Sequence, residues 1–73
     1  MTPNKFYYSN LKTDKEKILD VCNRAGTTFA NFVQISTQGG SVSRRLAKKL
    51  SEASNNEMTV MEILFPDQFD DAA

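Results

Sequence analysis

The sequence contains no histidine. The one side chain whose unperturbed charge changes near neutral pH, and the commonest general base, is therefore missing. Cys22 is the only cysteine, so no disulfide can form within the chain. One thiol without a histidine also falls short of a four-ligand zinc site. There is no nucleophile elbow, phosphate-binding loop or paired-cysteine motif. Gly39-Gly40 lacks a following Gly-Lys-Ser/Thr and reads as a turn. These gaps point away from an enzyme, and no metal or cofactor is expected. No apolar run approaches the roughly 18 residues of a membrane span. The opening "MTPNKFYYSN" lacks the apolar core of a signal peptide. A lone cysteine with no export signal fits a reducing cytoplasm, the expected location.

Seventy-three residues make a single domain, 1–73. A chain this short buries only about 60% of its unfolded surface. Chains below about 80 residues usually gain stability from disulfides, metal or oligomerisation. The first two are set aside above, so a homodimer is expected.

Nine basic and nine acidic residues give zero net charge, but their layout is uneven. Residues 1–25 carry Lys5, Lys12, Lys15, Lys17 and Arg24 against Asp14, Glu16 and Asp20. Residues 26–50 carry Arg44, Arg45, Lys48 and Lys49 with no acid. Residues 51–73 carry Glu52, Glu57, Glu62, Asp67, Asp70 and Asp71 with no base. Such segregation bears on partners more than on fold.

The periodicity predicts an all-α fold: a small helical bundle of three main helices near 13–25, 28–36 and 42–54, with a short one near 60–65. Residues 1–11 read as an N-terminal arm or lid, because Pro3 and Asn4 favour an irregular start and Phe6, Tyr7 and Tyr8 form an aromatic cluster. The helical core spans 12–66, and 67–73 is an acidic tail. Thr13 and Glu16 form a capping box for the first helix. Ile18, Leu19, Cys22 and Ala25 share its apolar face, and Gly26 supplies a left-handed stop. Cys22 on that face reads as a core residue. The second helix is capped by Thr27 or Thr28 and turns Phe29, Phe32, Val33 and Ser36 inward. "STQGGS" is a turn. The third helix is capped by Ser41 or Ser43 and has Leu46, Ala47, Leu50 and Ala53 inside. "NNE" at 55–57 ends it. Thr59 and Glu62 form a second capping box, and Pro66 stops the short helix.

The third helix carries the functional signal. Arg44, Arg45, Lys48 and Lys49 are like charges with no acid before Glu52, near a helix start where positive charge opposes the macrodipole. Most basic helix faces are simply solvated. This one follows a helix and a polar turn, as a recognition helix does in a helix-turn-helix. A phosphate backbone would relieve the repulsion.

Three stretches, "RAGTTFANFVQIS", "GGSVSRRLAKKLSEAS" and "MTVMEILFPDQF", together cover most of residues 13–68. With Ala25-Gly26 closing a helix, Ser43-x-x-Leu46-Ala47, and Thr59-x-x-Glu62 running into Pro66-Asp67, the chain resembles the small phage-type helix-turn-helix regulators of the Cro and YdaS kind. The resemblance implies a helix-turn-helix-like bundle that binds DNA. The chain departs from that pattern between Gly26 and Ser43, where there is room for one helix and a turn, not two helices. Either the basic helix reads DNA itself, or the recognition helix has been lost.

The leading expectation is a DNA-binding transcriptional regulator of phage or mobile-element type, reading double-stranded DNA with the helix at 41–54. Gln38, Ser41, Ser43, Arg44 and Arg45 would reach bases or phosphates, and Lys48 and Lys49 would hold the backbone. The alternative is a small protein-binding regulator, antirepressor or antitoxin-like, that meets a basic DNA-binding protein through the apolar, acidic C-terminal segment. Met58, Val60, Met61, Leu64 and Phe65 are the expected dimer or partner interface.

Overall fold

A computed structural model describes residues 1–39 and 42–69. Among the described residues the chain is all-α: α1 Pro3–Asn10, α2 Lys15–Ala25, α3 Phe29–Gln38, α4 Arg44–Ala53 and α5 Val60–Leu64, then a 3-10 turn at Pro66–Gln68. Each start has a local cause. The side chains of Thr2, Asp14, Thr28, Ser43 and Thr59 each accept a hydrogen bond from the amide three residues on. Gly26 closes α2 at φ 77°, in the left-handed region.

Several expectations are corrected. The irregular N-terminal segment is a helix. Thr2 caps it and Pro3 occupies its first turn, where the missing amide costs nothing. Phe6 and Tyr7 are buried in the core, with Phe6 edge-on to Phe32 at 6.2 Å. Phe6 and Tyr7 thus pack as a lid would, but from a helix that belongs to the core, while Tyr8 is 57% exposed. The first capping box does not form: Asp14 caps α2, and the Thr13 hydroxyl donates instead to the Ser9 carbonyl. Leu19 is 43% exposed and Val21 is buried in its place. Both flank the Ile18–Cys22–Ala25 stripe, and the packing of neighbouring helices selects between them.

The core comprises Phe6, Tyr7, Ile18, Val21, Cys22, Ala25, Phe32, Ala47, Leu50, Met58 and Ile63. α2 packs chiefly on α4, α1 on α3, and α5 on α4. Between α4 and α5 the chain reverses through Asn55 and Asn56, both at positive φ. Asn is one of the few residues that adopts that region readily. Polar side chains hold this reversal from inside. The Ser54 hydroxyl donates to the Ser51 carbonyl at 3.0 Å and accepts from the Met58 amide at 3.1 Å. The Ser51 hydroxyl donates to Asn56 Oδ1 at 3.0 Å. The reversal thereby drives Met58 into the core, at 0% exposure.

Candidate nucleic-acid interface

α4 has two unlike sides. Ala47, Leu50 and Ser51 face inward, with Leu46 and Ala53 half-buried. The outward side carries Arg44, Arg45, Lys48 and Lys49, all exposed. At helical spacing, Arg44 stacks over Lys48 and Arg45 over Lys49, each pair one turn apart. Ser43 is exposed, and its Oγ accepts the Leu46 amide at 3.1 Å, so it serves the helix start first. Ser41 lies outside the described residues. None of the four cations forms an ion pair or hydrogen bond among the described residues. Of the five basic residues elsewhere, Lys17 Nζ meets Glu57 Oε2 at 2.8 Å, Arg24 Nε meets Asp20 Oδ2 at 3.0 Å and Lys15 lies over the Phe29 ring, while Lys5 and Lys12 have no ion pair among the described residues.

Arg24 is a residue that sequence reasoning misses. It stands near the end of α2 and, with Lys49, Glu52 and Ala53, lines a shallow cleft of about 280 Å³. The cleft thus sets Arg24, already paired with Asp20, beside Lys49 and Glu52 of α4. Only the pairing of α2 with α4 reveals this, and sequence spacing carries no such signal.

Gln38 is exposed at the end of α3. α3 packs on α1 and α2 rather than on α4, so helix packing does not join Gln38 to the cations. The exposed side of α3 has no charge; Asn31, Gln34 and Gln38 lie along it. The Asn31 amide is tied to Thr27 Oγ1 at 2.9 Å, whereas Gln34 and Gln38 sit one turn apart, with no such tie among the described residues. α2 and α3 are joined through Gly26, Thr27 and Thr28 alone, a connection as short as that of a helix-turn-helix.

The five apolar candidates separate. Met58 is enclosed in the core and presents nothing to a partner, because the serine-lined reversal turns it inward. Val60 and Leu64 are half-buried against the core. Met61 and Phe65 are about half exposed, at 51% and 49%. Of the acids beside them, Glu62 accepts from the Met1 ammonium at 2.9 Å and from the Thr59 amide at 3.0 Å, completing the expected capping box. The ammonium above all, then the Thr59 amide, holds the Glu62 carboxyl below its ordinary value of 4.5. The Met1 amine also donates to the Glu57 carbonyl.

Two further features lie away from the basic side of α4. Burial pushes the Cys22 thiol up to about 11, so it stays protonated and unreactive at neutral pH. A cleft of about 180 Å³ between the start of α1, the end of α3 and the α5 corner holds one carboxylate, Asp67. Among the described residues no three His, Cys, Asp or Glu side chains gather as metal ligands. No described helix is long and apolar enough to cross a membrane. No family model matches the chain, and no curated protein or solved structure matches it either.

Proposed function

We propose that this protein is a DNA-binding transcriptional regulator of phage or mobile-element type that holds the phosphate backbone with the outward side of α4. One observation carries the reading: four exposed like charges are gathered on adjacent turns with no partner among the described residues, whereas the other basic residues without an ion pair, Lys5, Lys12 and Lys15, are spread along the first fifteen positions. Uncompensated positive charge at a helix start costs stability in the free protein, and a polyanion removes that cost. Lys48 and Lys49 contact phosphates. Arg44 and Arg45, at the exposed start of α4, take phosphates or guanine edges, and the amides of Gln34 and Gln38 suit adenine.

The reading in which the C-terminal segment captures a basic protein has less behind it. Glu57 and Glu62 are already held by Lys17 and the Met1 ammonium. Of the described acids after residue 51, Glu52 and Asp67 are left exposed for an incoming cation, and Asp70 and Asp71 lie outside the described residues.

The test is affinity for random duplex DNA across a salt series, for the parent and for a variant with Arg44, Arg45, Lys48 and Lys49 all changed to Ala. Every phosphate that the variant no longer neutralises lowers the salt slope by about 0.9. Arg45→Ala costs about 1–3 kcal/mol on a specific site if it reads a base. Lys48→Ala weakens all sequences alike. A quadruple variant with parental affinity at physiological salt would reduce α4 to a solvated face.

A further inference from the structure

We infer that the cleft between the start of α1, the end of α3 and the α5 corner binds a small organic cation, a primary ammonium on a short apolar stem. None of its lining residues belongs to α4, so the inference does not depend on DNA binding. Pro3, Ile35, Ile63 and Pro66 give the cleft apolar walls. Asn4, Ser36, Thr37 and Asp67 give it polar groups. Ser36 is 5% exposed, and its Oγ is the one buried side-chain polar atom with no hydrogen-bond partner among the described residues. A buried hydroxyl left unpaired carries its full desolvation cost, so a partner is called for.

The donors and acceptors around the cleft give the sign of that partner. Asn4 Nδ2 donates to the Ser36 carbonyl at 2.9 Å, while Asn4 Oδ1 accepts no bond among the described residues. The Thr37 hydroxyl gives its hydrogen to the Val33 carbonyl at 2.7 Å, so only its lone pairs remain. Asp67 is exposed and has no ion pair among the described residues. No lysine or arginine lines the cleft. α3 ends there, at Gly39, with no basic residue in its last turn, so the carbonyls of that helix end add partial negative charge. The start of α1 offers little against this, because Pro3 has no amide and the Lys5 amide is taken by Thr2 Oγ1. An anion would be repelled by Asp67, and a wholly apolar molecule would leave the Ser36 hydroxyl unpaired. A primary ammonium donates three hydrogen bonds, and Asp67, Asn4 Oδ1 and Ser36 Oγ are three free acceptors for them. The cleft of about 180 Å³ equals the liquid volume of about six waters, which matches an ammonium nitrogen on about five carbons.

Titration of the whole chain with pentylammonium, followed by backbone amide chemical shifts, tests this. The expected result is saturable shifts at Asn4, Ser36, Thr37 and Asp67 at millimolar concentration, the range for so small a ligand. Pentanol, of the same size without the charge, binds about tenfold more weakly. Asp67→Asn keeps its helical circular dichroism and weakens the ammonium by about tenfold. Ser36→Ala melts at or above the parent, because an unpartnered polar atom is gone, and weakens the ammonium by about threefold or more. Parental affinity in either variant overturns the assignment. A lower melting temperature for Ser36→Ala also overturns it, since the hydroxyl would then have a partner inside the fold. So do shifts that never saturate, or pentanol binding as well as the ammonium, which mark an adventitious additive only. Nα-acetyl-lysine amide carries the same ammonium on a peptide backbone and identifies its source. Tighter binding than pentylammonium assigns the cleft to a lysine side chain of a partner protein, and equal or weaker binding assigns it to a free amine.

Discussion

α4 and α5 pack against each other, yet their outward sides treat charge in opposite ways. On α4 four cations stand in water with no partner among the described residues. Around α5, Glu57 and Glu62 are paired internally, Asp67 stands exposed without an ion pair among the described residues, and Met61 and Phe65 are half exposed. Zero net charge is the sum of a mildly basic first third, the four cations of α4 and the acids after residue 51, so it hides a strongly basic α4 surface. A surface whose charges are satisfied within the fold is suited to burial. A surface whose charges are left unsatisfied is suited to a ligand that supplies the opposite sign. The comparison can be broken from either side, and also from the shared core that holds both surfaces in place.

The largest effect is expected in that core. Leu50 lies on the inner side of α4 at 0% exposure. Leu50→Ala should destabilise by about 2–5 kcal/mol, from reduced burial and the cavity left behind. Leu46, half-buried one turn earlier, should cost clearly less. Chemical denaturation of both variants checks the order. Equal losses would mean that α4 is rotated from the orientation that exposes its cations.

The cap of α5 comes next. Thr59 Oγ1 accepts the Glu62 amide at 3.2 Å, and Glu62 returns a bond to the Thr59 amide. Thr59→Ala should cost about 0.5–2 kcal/mol, the range for losing such a cap. If melting is unchanged, the box does not hold the apolar side in place.

Glu62 sharpens the comparison through pH. Its carboxyl is lowered in the folded protein, so it contributes stability above its unfolded value. That contribution is lost as pH falls through the lower, folded value. Glu62→Gln should therefore destabilise at neutral pH and flatten the acid limb of the stability curve below about pH 4.5. Parallel parent and variant curves from neutral pH to acid would remove the compensated carboxylate from the argument.

Local signals are legible in the sequence, and tertiary choices are not. Gly26, the Ser43 cap and the Thr59–Glu62 box are fixed by residues within four positions of one another, and all three form. The all-α class follows from the same periodicity. α1 escapes that reading although Thr2-Pro3 carries a helix-start signal, because proline breaks a helix everywhere except in its first turn. The choice between Leu19 and Val21 depends on which helices surround α2, and no spacing within α2 encodes that. Met58 reads as interface because six apolar residues in eight exceed one face of a short helix. The serine-held reversal before α5 instead buries one of them outside that helix. Of the candidate DNA-contacting residues, α4 brings Ser43, Arg44, Arg45, Lys48 and Lys49 together. Gln38 stands apart on α3, and Arg24 comes beside Lys49 only through the packing of α2 on α4.

The smallest effect concerns the cost of the basic surface itself. Arg44 and Arg45 open α4, whose first turn holds no acid. The helix start already bears partial positive charge from unpaired amides, so each arginine there is opposed by the dipole and by its basic neighbours. Arg44→Glu reverses both terms: it places an anion at the helix start and one turn from Lys48. It should stabilise the free protein by about 0.3–1 kcal/mol at low ionic strength. The gain should shrink as salt is added, because the site is exposed and screened. The same variant should lose DNA affinity by more than one cation's worth, since an acid now faces the phosphates. Stability and binding would then move in opposite directions, as expected where charge is kept for a ligand. If Arg44→Glu instead lowers the melting temperature at low salt, the arginine is stabilising its own fold, and the unpaired surface of α4 no longer needs a polyanion to explain it.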